Sequence, residues 1–159
     1  MGLRLKNQDS GSCFFVTTSF LHRKCLGNIP GVYAVLAESR DFGVDKIELK
    51  LLAYVLMPSH IHLVVLLDGM SLASLMRDFK KYAAQKALVN LCGAKKVWQA
   101  GYDRQAIWSY GVLRTKIEYI HANPVRAGLA TTPEEWYYSS AADYCGRVNE
   151  PVRVWKEWN

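Results

Sequence analysis

Cysteine is scarce and poorly spaced for chemistry. Four are present, at positions 13, 25, 92 and 145, and no two stand at zinc-knuckle or redox-pair spacing. That argues against a thiolate zinc module and points to a reducing, cytoplasmic setting. No apolar run approaches the ~18 residues of a membrane-spanning helix. The apolar stretch 13–20 is too short, and too polar in its approach, for a signal peptide. No fixed-period repeat, low-complexity segment or linker interrupts the chain, so residues 1–159 are expected to form one domain. Acidic residues are outnumbered, 14 against 20 Lys and Arg, which leaves a net charge of +6. No nucleotide-binding loop or carboxylate clamp is visible, so a metabolic metalloenzyme has no support.

What is present suffices for a core. Half of the 159 residues are hydrophobic, and a chain of this size buries roughly 69% of its extended surface. The positive charge is uneven. Residues 69–99 hold six basic residues against one acidic, Asp78. A basic stretch suits a polyanionic partner, although a solvated helix face has the same composition.

The aromatic and β-branched stretch 13–20 predicts a first strand. Pro30 can open a helix, with Val32, Leu36 and Ala37 as its stripe and Gly43 at its end. Residues 47–57 predict a long strand in which Leu49, Leu51, Ala53 and Val55 share one face. Pro58-Ser59 turns the chain into a second strand over 60–67, completing a hairpin. Ser71 caps a helix to about residue 91, with Leu72, Leu75, Met76, Phe79 and Ala83 buried. A fourth strand is expected somewhere in 97–107, where periodicity is poor. A third helix over about 109–122 is expected to stop at Asn123-Pro124. The order β-α-β-β-α-β, then helices, predicts an α+β ferredoxin-like core: an antiparallel sheet covered by helices on one face, with C-terminal helices added.

Of only four histidines, His60 and His62 stand two apart on a predicted strand. Both imidazoles therefore point the same way and can share one ion. Two sheet histidines bonded to neighbours would look the same. With no cysteine beside them, an oxygen ligand would make a mixed nitrogen–oxygen site suited to Mg²⁺ or Mn²⁺ engaged with phosphate. Tyr119 and Asn123, one helical turn apart, can offer that oxygen and a phenol on one face. An amphipathic tyrosine and a helix-stopping asparagine are the plainer readings.

Tyr54-Val55-Leu56-Met57-Pro58-Ser59-His60-Ile61-His62-Leu63-Val64-Val65 resembles the metal-binding strand of single-tyrosine HUH transposases. Tyr119-Ile120-His121-Ala122-Asn123-Pro124-Val125-Arg126-Ala127-Gly128-Leu129 resembles their catalytic helix, most closely in the REP-associated branch of the IS200/IS605-like enzymes. The resemblance implies that His60 and His62 bind a divalent metal, Mg²⁺ or Mn²⁺, with Asn123 as third ligand and Tyr119 as nucleophile. Ser59 replaces an asparagine common in the family. The implied activity is cleavage and strand transfer of single-stranded DNA at hairpin-forming repeats through a 5′-phosphotyrosine, which needs no ATP. A non-catalytic hairpin-binding descendant is the alternative. The implied setting is nucleoid-associated, as a monomer or homodimer. Arg77, Lys80, Lys81 and Lys86 are candidates for phosphate contacts, with Arg104 and Arg126 flanking the catalytic elements. His121, two residues and about 200° around the helix from Tyr119, is expected to be structural or on the surface.

Overall fold

The computed structural model describes residues 12–44, 49–147 and 152–158, the side chains at 39–44, 86 and 87 excepted. Strand β1 (Cys13–Ser19) precedes helix α1 (Val32–Val44). Strands β2 (Leu49–Leu56) and β3 (His60–Leu67) form the hairpin. Helix α2 (Leu72–Ala83) runs through a π-helical turn into α3 (Val89–Cys92). Strand β4 (Asp103–Ala106), helix α4 (Tyr110–Arg126) and the short α5 (Ala141–Tyr144) follow. The sheet order is β2-β3-β1-β4, and its three pairings are antiparallel. This is the ferredoxin-like arrangement expected from the element order.

Local chemistry accounts for the main boundaries. The β2–β3 turn closes with the Met57 N–H donating to the His60 carbonyl at 2.9 Å. Ser71 caps α2 by accepting from the Ser74 N–H at 3.1 Å, and Ser109 caps α4 by accepting from the Val112 N–H at 3.2 Å. α1 begins at Val32, after Gly31 at φ 91°, two residues later than Pro30 suggests.

Three further expectations are corrected. Helices cover both faces of the sheet. α1 and α2 bury Val32, Leu36, Leu72, Met76 and Phe79 against Phe14, Val16, Ile61, Leu63 and Val65. α4 buries Leu113, Ile117 and Ile120 against Leu52, Ala53, Val55 and Val64 on the other face. Secondly, β2 does not alternate throughout. Its register against β3 shifts between Leu51 and Ala53, so Leu49 and Leu51 face α1 and α2 while Ala53 and Val55 face α4. A bulge inserts one residue and reverses the parity beyond it. Thirdly, α4 runs past Pro124 to Arg126. It ends in a Schellman pattern, with the Leu129 N–H donating to the Pro124 carbonyl at 2.8 Å and Gly128 N–H to Val125 carbonyl at 3.0 Å. Gly128 takes the left-handed conformation, φ 72°. A proline in the last turn removes one donor without ending the helix.

The fourth strand is only four residues long at the sheet edge, while Trp98 makes a separate bridge to Phe20. The C-terminal segment returns to β2. The Leu56 N–H donates to the Tyr138 carbonyl, and Ser140 N–H to Tyr54 carbonyl. All four cysteines are free thiols. No described helix is long and apolar enough to cross a membrane.

Candidate active site

The β1–β3 pairing sets the floor of the site. Thr17 lies opposite His62, and Ser19 opposite His60. Side chains two apart share a face, so Phe15 and Thr17 join His60 and His62 beneath α4. The histidine rings are 4.7 Å apart between centroids. Phe15 stacks on His62 at 5.3 Å.

Hydroxyls orient both imidazoles. Thr17 Oγ1 lies 2.8 Å from His62 Nδ1, and Ser59 Oγ lies 3.0 Å from His60 Nδ1. With the proton on Nδ1, each ring donates to its hydroxyl and leaves the Nε2 lone pair open. Burial pushes His62 down to about 3, helped by the positive fields of His60, Arg23, Arg126 and Lys116. Burial also lowers His60, as does Arg23, while a side-chain hydrogen bond to Asn123 opposes them. Both rings are therefore neutral at physiological pH, the state that can donate to a cation.

α4 supplies the roof. Lys116, Tyr119, Asn123 and Arg126 follow at intervals of three, four and three, which is one helical stripe. The Tyr119 ring lies 5.5 Å from His62 and 5.8 Å from Phe15. The residue is 41% exposed, so a large substrate can reach it. Asn123 Nδ2 donates to the Tyr119 carbonyl at 2.9 Å, which leaves its oxygen for the His60 side. Arg126 donates to the same carbonyl at 3.0 Å and stacks over the Tyr119 ring at 4.4 Å. Lys116 Nζ sits 4.7 Å from the Phe15 ring centroid.

The donor set fits a small divalent cation: two neutral imidazoles and one amide oxygen. Among the described residues no group of three or more His, Cys, Asp or Glu side chains converges, and the Asn123 amide is the further oxygen beside the pair. His121 turns away from this set. Its Nε2 lies 2.8 Å from Ser140 Oγ and its ring packs on Tyr144 at 5.1 Å.

The other cationic candidates do not gather here. Arg77 is paired with Asp78 at 3.0 Å. Lys80 Nζ donates to the carbonyls of Gln99 at 2.9 Å and Gly101 at 2.7 Å. Lys81 is exposed. All three lie on α2, with the sheet between them and the histidines. The Lys86 side chain falls outside the described residues. Arg104 pairs in register with Val16, on the α2 side of the sheet.

Sequence reasoning missed Thr17, Phe15, Lys116 and Arg23. Lys116 was legible as one more member of the α4 stripe. Thr17 and Phe15 needed the strand register. Arg23 stands in a turn where both it and His22 have left-handed backbone, φ 51° and 55°. Such a conformation costs roughly 1–2 kcal/mol for each non-glycine residue.

A ferredoxin-like sheet that presents a His-x-His pair beneath a helix tyrosine is the architecture of the single-tyrosine HUH transposases, the class whose motifs the sequence resembles. Residues 29–123 match the family described as "Transposase IS200 like", a span that contains His60, His62, Tyr119 and Asn123, and the chain belongs to that family. It is 30% identical over 90 residues to the REP-associated tyrosine transposase of Escherichia coli K12, across 55% of this chain and 52% of that protein. The match thus spans about half the length of that relative. The fold is shared with a solved REP-associated tyrosine transposase bound to a REP hairpin. The TM-score is 0.74 at 22% identity, covering 100% of this chain and 94% of the other. Enzymes of this family typically work with a divalent metal.

Proposed function

We propose that this protein cleaves and rejoins single-stranded DNA at hairpin-forming repeats, with Tyr119 as nucleophile, and that residues 1–159 act as one catalytic domain. The supporting observation is an exposed phenol held 5.5 Å, ring to ring, from a buried, hydroxyl-oriented histidine pair. His60, His62 and Asn123 would hold Mg²⁺ or Mn²⁺. When bound, such an ion would polarise the scissile phosphate and offset charge on its non-bridging oxygens.

The chain's own groups supply the remaining chemistry. Phe15 and Arg126 flank the Tyr119 ring and limit its swing. In-line attack forms a bond from Tyr119 Oη to phosphorus and breaks the bond to the 3′ oxygen. The phenol loses a proton and the leaving oxygen gains one. The phosphodiester is exchanged for a phosphotyrosine ester, so attack by a 3′-hydroxyl can reverse the step without ATP. Arg126, against Tyr119, is the best placed of the candidate DNA contacts.

Single-stranded hairpin DNA incubated with the protein and Mn²⁺ should yield a denaturation-resistant adduct that peptide mapping assigns to Tyr119. Tyr119→Phe should abolish the adduct and retain binding, since only the hydroxyl is lost. An adduct on Tyr110 or Tyr137 would refute the assignment. Tight hairpin binding with no adduct from the wild type would favour the non-catalytic binder.

A further inference from the structure

We propose that Arg23 is a phosphate-binding residue at the His60 end of the cleft, gripping the strand segment that carries the leaving 3′ oxygen. The inference rests on the proposed cleavage reaction for the identity of that segment, but not for the phosphate contact itself.

The contacts along α4 order the cleft. Lys116 lies over Phe15. Tyr119 follows, over His62 and Phe15, and Asn123 meets His60. Arg126 folds back onto Tyr119. The Lys116 and Arg126 side chains therefore both lie at the Tyr119 end. At the other end, β1 passes Ser19 opposite His60 and enters the turn that carries Arg23.

That turn is fastened on both sides. The Phe20 N–H donates to the Ser59 carbonyl at 3.1 Å and Gly27 N–H to the Pro58 carbonyl at 2.9 Å, tying the segment to the turn before His60. On the other side, Leu21 N–H donates to the Val97 carbonyl at 2.9 Å and the His22 N–H to Gln99 Oε1 at 3.2 Å. A Cβ at Gly27 would stand 2.9 Å from Pro58 Cα, so the approach is close enough to require glycine. Between these fastenings His22 and Arg23 are both held at positive φ. Strained backbone persists where its surroundings over-determine it, and such sites concentrate at ligand clamps. Arg23 is exposed and lies in the segment bonded to Pro58 and Ser59, the two residues that precede His60.

In-line displacement places nucleophile and leaving oxygen on opposite sides of phosphorus. With Tyr119 at one end of the cleft, the leaving strand extends toward the other, where Arg23 stands. A guanidinium there has the donor geometry for phosphate oxygens.

The test separates the contact from the reaction. Fluorescein-labelled oligo-thymidylate is titrated against wild type, Arg23→Ala and Arg23→Lys across salt. Arg23→Ala should lose about tenfold in affinity at low salt and reduce the salt slope by about 0.7, one single-strand phosphate. Arg23→Lys should retain the slope, and thermal melting should show both variants folded. On a cleavable hairpin, a neutral methylphosphonate immediately 5′ of the cleaved linkage should weaken the wild type but not Arg23→Ala. An unchanged slope in Arg23→Ala, or coupling to a linkage on the 3′ side, would overturn the proposal. A lowered slope with no Tyr119 adduct in any protein would sustain the phosphate contact and refute the cleavage reading.

Discussion

At the scale of single residues, the site depends on where two imidazole protons sit. A metal bound by His60 and His62 would need their Nε2 lone pairs, and the Thr17 and Ser59 hydroxyls, each facing Nδ1, can accept the proton of that tautomer. Groups that orient metal-binding histidines typically contribute 10- to 100-fold to affinity. Thr17→Val keeps the branched shape on β1 and deletes the hydroxyl. It should weaken Mn²⁺ binding by about tenfold, read by titration calorimetry, while leaving the thermal midpoint nearly unchanged. Equal Mn²⁺ affinity in the variant would show that Thr17 does not orient His62. The His-x-His pair was legible because strand geometry puts alternate residues on one face. Thr17 was not, because its partner is 45 positions away and only the register brings them opposite.

At the scale of elements, α4 is joined to the edge of the sheet through His121. Ser140 accepts from the Tyr54 N–H at 3.0 Å on β2 and meets His121 Nε2 at 2.8 Å on α4. Burial pushes His121 down to about 4, against an unfolded value near 6.5. Between those two values the unfolded chain binds a proton that the folded chain refuses. Stability should therefore fall as pH drops from about 6.5 to about 4, by at most ~1.4 kcal/mol per pH unit from this group. His62, lowered to about 3, adds the same trend over a window reaching further into acid. Urea unfolding of wild type and His121→Gln at pH 7 and pH 4.5 measures the share of His121. The variant should be less stable at neutral pH and lose less on acidification. Parallel losses in the two proteins would contradict this account. Sequence spacing turned His121 away from Tyr119, but its partner on a later segment was not readable.

At the scale of the whole molecule, the basic segment after residue 68 divides by function. Lys80 reaches across to the 99–101 loop and donates to two of its carbonyls. Trp98 returns a bond to the Lys80 carbonyl at 3.0 Å, and Gln99 in turn accepts from the His22 N–H. Lys80 thus supports the turn that carries Arg23. Lys80→Ala should destabilise the fold by about 1–3 kcal/mol, measured by chemical denaturation. Lys81→Ala, on the exposed flank, should leave stability within ~0.5 kcal/mol. If Lys81 contacts phosphate, its removal should flatten the salt dependence of DNA binding without altering preference among sequences. An unchanged salt slope would mark that flank as a solubilising surface.

Sequence alone determined the features that local geometry dictates. Period two aligned His60 with His62, and the four-residue offset aligned Tyr119 with Asn123. Cap residues and hydrophobic stripes identified the helices, and element order identified the ferredoxin-like core. Tertiary structure decided what depends on distant partners. The bulge between Leu51 and Ala53 reversed the parity of β2, which apolar residues on both sides of a doubly covered sheet could not reveal. The placement of α4 on the face opposite α2 brought Tyr119 over His62 and left Lys80 and Lys81 behind the sheet. Arg23 carried no periodic signal, because its position comes from hydrogen bonds to residues 58, 59, 97 and 99. Short-range pattern records which face of an element is apolar, whereas the surface that each face meets is chosen by packing between segments far apart in the chain.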